Sequence, residues 1–249
     1  HQYISLFCPI DCKILPRFHQ EILDSMQNIL QNSLKFPATS LPIFSTTKVT
    51  ARNVKIIKSF TVSFWFFIYN NEEEITITEI INENQKLSIQ FLNNKISISF
   101  QIKQEKWKGV FSFDLPFNQW SFASFSMQYD NLNDRMVIKA SINGIVLSPQ
   151  FFPYFDFSEN MSKVNVGISD NDKLSVMLGS FAITSYFDPS YSTSLYDSGP
   201  RRVPKNPIFF FKPHNKNDNY EIETIPSTLK ATIQKVRTLH KPSFSDLLI

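Results

Sequence analysis

The sequence predicts an all-β protein, a sandwich of two packed antiparallel sheets, and three observations carry that prediction. The first is the run SFTVSFWFFI over residues 59–68, aromatic and β-branched residues of the kind that suits a pleated surface. Phe60, Val62 and Phe64 point one way, and Thr61 and Ser63 the other. After Trp65 the alternation gives way to continuous apolar residues, as expected where both faces of a strand are covered. The second is strict alternation in Ile75-Thr76-Ile77-Thr78-Glu79-Ile80, in residues 87–91 and in residues 95–100, a meander with one buried and one wet face. The third is the recurrence of turn signals about every 8 to 12 residues through roughly ten strands.

In chain order, residues 1–16 are irregular and punctuated by Pro9 and Pro16. Phe18, Ile22, Leu23, Met26, Ile29, Leu30 and Leu34 then follow helical spacing, which predicts an amphipathic helix over 16–35 with Pro16 in its first turn and Pro37 beyond its end. Ile43-Phe44 and residues 49–57 bring the chain to the central strand. Asn70 to Glu74 form a turn, and Asn93-Asn94 a hairpin turn. Val110-Phe111-Ser112-Phe113 leads into a turn that delivers Trp120 at the head of a strand over 121–128. The polar turn 129–134 precedes a strand over 136–142, and Asn143-Gly144 then supplies the positive φ angles of a type I′ turn before Ile145-Val146-Leu147. Residues 164–168 and 176–183 are two more strands, and residues 227–239 read as a helix.

Composition sets the bounds. The 249 residues, 42% hydrophobic and 19% charged, fit one all-β domain with extensions or two small domains, and exclude a disordered chain. The 25 Phe against 5 Gly are read as a compositional bias towards Phe, Ile, Asn and Lys rather than as aromatic pairs across two sheets. Residues 201–249 carry nine Lys and Arg against four Asp and Glu, leaving the tail at +5 and the rest of the +3 chain at −2; without a basic run this is a solvated extension. Cys8 and Cys12 are too close for a disulfide between distant strands, and His1, His19, His214 and His240 are too scattered to complete a zinc site. The sequon Asn160-Met161-Ser162 is expected by chance in a chain this rich in Asn. No stretch approaches a membrane span, and the order of a signal peptide is missing from the start. A cytoplasmic segment of a longer protein is the expectation.

A sandwich glucanase would project several carboxylates from one strand into one groove. Glu72, Glu73 and Glu74 are consecutive and lie in a turn, and Glu79 stands alone, so no enzyme is predicted. A calcium or sugar site needs converging loop oxygens. Asp130, Asn131, Asn133 and Asp134 in one loop, and Asp170, Asn171 and Asp172 in another, read instead as solvated turns. The sequence therefore predicts no catalytic, cofactor-binding or metal residue and no cofactor. Trp65 and Trp120 are assigned to the core, and Trp107, between Lys106 and Lys108, to the surface.

The succession Phe60-Thr61-Val62-Ser63-Phe64-Trp65, Pro116-Phe117-Asn118-Gln119-Trp120-Ser121-Phe122, Ile142-Asn143-Gly144, Val166-Gly167 and Leu178-Gly179-Ser180-Phe181 resembles the concanavalin A-like, laminin G-like jelly roll over about residues 55–200. Gly144, Gly167, Gly179 and Gly199 fall at its landmarks. Phe187-Asp188-Pro189 with Leu195-Tyr196-Asp197-Ser198-Gly199-Pro200, and then Ile208-Phe209-Phe210-Phe211-Lys212-Pro213, is similar to the exit of the lectin-like domain of BEACH proteins of the neurobeachin kind. The resemblance implies a helical extension over 1–40, a lectin-like sandwich over 41–205, and a C-terminal strand and helix over 206–249. It implies a non-catalytic recognition or scaffold domain of a large cytosolic trafficking protein, peripheral to vesicle membranes. Its partners would be neighbouring helical and BEACH-type domains of the same chain or other proteins, with no nucleic acid. The alternative is a glycan- or calcium-binding module of an extracellular protein.

Overall fold

The run that anchors the sequence forms the strand Phe60–Ile68, and each of its nine residues is buried. The computed structural model describes residues 41–43, 48–68, 74–92, 95–113, 119–168, 176–199, 202–216, 219–229 and 231–233. Their elements in order are β1 (Leu41–Ile43), β2 (Val49–Val54), β3 (Phe60–Ile68), β4 (Ile75–Ile81), β5 (Gln85–Leu92), β6 (Lys95–Ile102), β7 (Glu105–Phe111) and β8 (Trp120–Asp130). There follow β9 (Arg135–Ile142), β10 (Ile145–Val146), β11 (Gln150–Pro153), β12 (Ser162–Ile168), β13 (Val176–Ser185), the helix α1 (Pro189–Ser198), β14 (Pro207–Lys216), β15 (Asn219–Ile225) and β16 (Ala231–Ile233).

Two antiparallel sheets pack face to face, as the sequence predicts. The larger runs β10-β9-β8-β3-β13-β14-β15, with β1 on β13 and β11 on β9; the smaller runs β16-β2-β12-β4-β5-β6-β7. Phe60, Val62, Phe64, Phe66 and Ile68 from the larger sheet meet Leu87, Ile89, Phe91, Ile96, Ile98 and Phe100 from the smaller in one buried core. Here the reading of the phenylalanines is corrected. Phe66 and Phe91 sit 4.8 Å apart between ring centres across the two sheets, Phe64 and Phe91 6.2 Å, and Phe111 and Phe125 5.8 Å. The rings are the filling between the layers. Large flat side chains suit that gap, because each buries a large area and tilts against its neighbour.

The outward residues of β3 are covered too. Trp65, 3% exposed, packs with Phe122 and Leu195, and Trp120, Phe187, Tyr191 and Tyr196 close around them. Asp188 caps α1 by accepting from the Ser190 N–H at 3.1 Å, Pro189 occupies the first turn, and Gly199 ends it at φ 77° while donating to the Tyr196 carbonyl. Beneath α1 the sheet is hydroxyl-rich. Ser124 and Ser192 lie 2.5 Å apart, Thr61 donates to Ser126, and Ser126 donates to the Phe187 carbonyl.

Several expectations change. Asn143 and Gly144 adopt φ of 50° and 81°, as the type I′ reading requires. The strand expected at 110–113 begins at Glu105, which turns Trp107 inward beside Phe100, ring centres 6.1 Å apart; it is half-buried rather than a surface residue. Trp120 is also half-buried, because it heads β8 at the sheet end. The helix expected over 227–239 does not begin there: residues 227–229 turn, and Ala231–Ile233 pairs with β2. A turn beside Pro226 and a β-branched pair, Thr232 and Ile233, favour the open edge of a sheet over a helix. β14 and β15 lengthen the larger sheet, so the described part of residues 206–249 is built into both layers. The amphipathic stripe of 18–34, Cys8, Cys12, the Asn93-Asn94 turn and the Asp170–Asp172 loop lie outside the described residues.

Candidate functional site

The outer faces of the two sheets differ. α1 closes much of the larger sheet, and the crevice left beneath it, lined by Ser63, Trp65, Phe122, Leu195, Arg202 and Phe210, has room for about one water molecule. It cannot take a ligand. Among the described elements, the strands of the smaller sheet touch one another, with β11 and β15 meeting the edge strands β7 and β16. Among the described elements, none packs across the outer face of the smaller sheet.

Strand period and register place the side chains there. Because alternate residues of β5, β6 and β12 fill the core, the residues between them point outward. The pairings then align Thr232, Thr50, Asn165, Glu79, Ser88, Ser99 and Lys108 in one row crossing all seven strands. A second row holds Lys163, Ile81, Lys86, Gln101 and Lys106, and a third Thr76, Gln90, Ser97 and Val110. A register shift between Thr76 and Thr78 is needed to bring Glu79 onto this face.

One half of the face satisfies itself. Thr50 donates to Asn165 Oδ1 at 3.1 Å, Asn165 Nδ2 donates to Glu79 Oε2 at 3.4 Å, and Lys86 forms an ion pair with Glu79. Gln90 donates to Glu74 and, at 3.4 Å, to Thr76. Glu79 therefore does not stand alone: the bulge puts it on the same face as Glu74. The two carboxylates diverge, one held by Lys86 and Asn165, the other by Gln90.

The other half keeps free groups. Lys106 and Lys108 are exposed and, among the described residues, have no ion-pair partner. Ser88 and Ser97 are 3% and 4% exposed, and the Ser97 hydroxyl is buried with no hydrogen-bond partner.

The loops that might have bound calcium are closed by their own bonds where they are described. Asp130 accepts from the Leu132 N–H (3.2 Å), Asn133 Nδ2 (2.8 Å) and Arg135 Nε (3.1 Å). The Asn133 bond, ahead of those to Arg135 and Leu132, holds its carboxyl below the usual range. Asp134 accepts from the Tyr129 hydroxyl at 2.8 Å. These are bonds of the kind that Asp and Asn make within turns. Beside them Lys58 Nζ lies 4.1 Å from the Tyr129 ring centre and 4.9 Å from that of Tyr154. Tyr154 in turn donates to Asp156 at 2.6 Å. With its cation in place and its hydroxyls bonded, this cluster fastens the end of β8 to the segments before β3 and after β11. Among the described residues no three His, Cys, Asp or Glu gather as metal ligands.

No protein-family model matches the chain, and no curated protein does. Among solved structures it is similar to an HCR/D mutant, at 19% identity and a TM-score of 0.51, over 75% of this chain and 53% of that one. It is also similar to the botulinum neurotoxin serotype D binding domain, at 19% identity and a TM-score of 0.49, over 75% of this chain and 52% of that one. A third is the native heptameric SAP-like pentraxin from Limulus polyphemus, at 12% identity and a TM-score of 0.46, over 80% of this chain and 93% of that one. The chain spans 36% to 52% of the length of the first neurotoxin domains it matches. At such identities the likeness is one of fold, a jelly-roll β-sandwich.

Proposed function

We propose that the chain is a non-catalytic recognition module that engages its partner through the outer face of the smaller sheet. The observation that carries this reading is the contrast between the two outer faces: α1 packs on one, while among the described residues no element packs across the other, where Lys106 and Lys108 are exposed without an ion-pair partner. The resemblance of residues 187–213 to BEACH proteins supports a scaffold role. In that reading the chain is part of a larger cytosolic trafficking protein, and its partners are neighbouring helical and BEACH-type domains. Acetylating lysines in the isolated chain and in the longer protein that contains it tests this reading. Lys86, Lys106 and Lys108 should react less in the longer protein, while Lys55 reacts equally in both. Equal reactivity of all four would refute the module as placed here. A second reading, a glycan ligand, is favoured by the row of hydroxyl, amide and ammonium groups crossing the strands, since such groups match the hydroxyls of a sugar.

A further inference from the structure

The register of the smaller sheet gathers three lysines around a bed of hydroxyls on β5, β6 and β7. Lys86, Gln101 and Lys106 lie side by side on adjacent strands, and Ser88, Ser99 and Lys108 lie in the neighbouring row. Two strand steps separate Lys86 from Lys106, about 10 Å, the length of a disaccharide. Among the described residues, the acidic groups on this face are Glu79 and Glu74, and both sit on the β4 side, the first bonded to Lys86 and the second to Gln90. Lys106 and Lys108 are exposed, and no described acidic group pairs with them.

Two further observations select the ligand. Among the described residues, the outward positions of β4, β5, β6, β7 and β12 hold no aromatic side chain; Trp107, the nearest, is turned inward against Phe100. Neutral sugars are commonly held by stacking on an aromatic ring, so here attraction has to come from charge and hydrogen bonds. Moreover, the Ser97 hydroxyl on this face is more than nine-tenths buried and has no partner. A buried hydroxyl without a partner is costly, and a ligand oxygen or sulfate that displaced the long side chains around it would complete it.

We infer that the β5–β6–β7 face binds an acidic glycan, a chain whose sulfate or carboxylate groups meet Lys86, Lys106 and Lys108 while its hydroxyls meet Ser99 and Gln101 between them. This rests on the glycan reading above and names the ligand class. The sheet presents a row of groups across strands rather than a projecting apolar loop, which suits an extended polymer better than a lipid surface.

The test is titration of the full chain, at low and at physiological salt, with a sulfated oligosaccharide of heparin type, with neutral dextran and with vesicles containing phosphoinositide. Binding to the sulfated oligosaccharide and not to dextran is expected. K106A/K108A should weaken it about tenfold or more, while K55A/K205A, which removes the same charge elsewhere, leaves it unchanged. Ser99→Ala should weaken binding without changing its salt dependence. Equal losses in the two lysine pairs would show diffuse attraction and overturn the site, as would no binding at low salt or binding to vesicles alone. None of these outcomes bears on whether the longer protein covers the face, which the acetylation experiment reads separately.

Discussion

Asp156 and Tyr154 show how single residues fasten the sandwich. Burial pushes the Asp156 carboxyl up, but hydrogen bonds from Ser158 and Tyr154, with Lys58 nearby, outweigh it and leave the carboxyl below its usual range. A depressed carboxyl adds stability that is present above the unfolded value, near about 4, and is lost as pH falls through the folded value. Tyr154 has the opposite sense. Burial, then the Asp156 bond and charge, raise its phenol, so its contribution is present below the unfolded value of about 10 and lost as pH rises beyond it. Thermal unfolding between pH 2 and 5 should therefore show a shallower loss for Asp156→Asn than for the natural chain; identical slopes would refute the assignment. Gly109 is a second residue with a definite consequence. An added Cβ would come 2.7 Å from Cζ of the buried Phe152, so Gly109→Ala should cost about 1 to 3 kcal/mol in chemical denaturation. The turn residues were legible, because Asn143-Gly144 acts within four residues; Glu79 was not, because a bulge decides its face.

α1 shows what an element owes to its surroundings. PSYSTSLYDS is poor in helix formers and ten residues long, too weak to stand alone. Its cap and its closing glycine fix where it begins and ends, and Trp65, Phe122 and the sheet hydroxyls hold it in place. Trp65→Ala should cost about 3 to 5 kcal/mol and speed hydrogen exchange across residues 189–198 ahead of β3. Equal protection of helix and strand in that variant would show that the helix does not depend on the tryptophan. At the other end of the chain, β15 and β16 replace an expected helical extension. Ending the chain at residue 216 should lower the melting temperature, because β14 and β2 each lose a neighbouring strand. An unchanged melting temperature would mean that these strands do not contribute to the fold. The segment 231–233 was expected to be helical because the resembled domain is flanked by helices, whereas its actual partner, β2, lies about 180 residues earlier.

At the scale of the molecule, the phenylalanines bind the two layers into one cooperative unit. Phe91 meets Phe64 and Phe66 from the facing sheet, so Phe91→Ala should cost about 3 to 5 kcal/mol in a single transition seen alike by fluorescence and circular dichroism. Separate transitions would show that the sheets do not unfold together. The closed Asp130 loop carries an expectation of its own: millimolar calcium should leave the melting temperature unchanged, and a rise of several degrees would reveal a native-state site. By itself the sequence determined the β class, the meander of β4 to β6, the central place of β3 and the Asn143-Gly144 turn. All of these depend on side-chain period and backbone preference over a few neighbouring residues. Tertiary structure alone decided that the phenylalanines bridge the sheets, that β16 pairs with β2, and that Thr232, Thr50, Asn165, Glu79, Ser88, Ser99 and Lys108 share one row. Those outcomes are set by pairing between strands far apart in sequence and by a one-residue bulge, and neither leaves a mark in local periodicity.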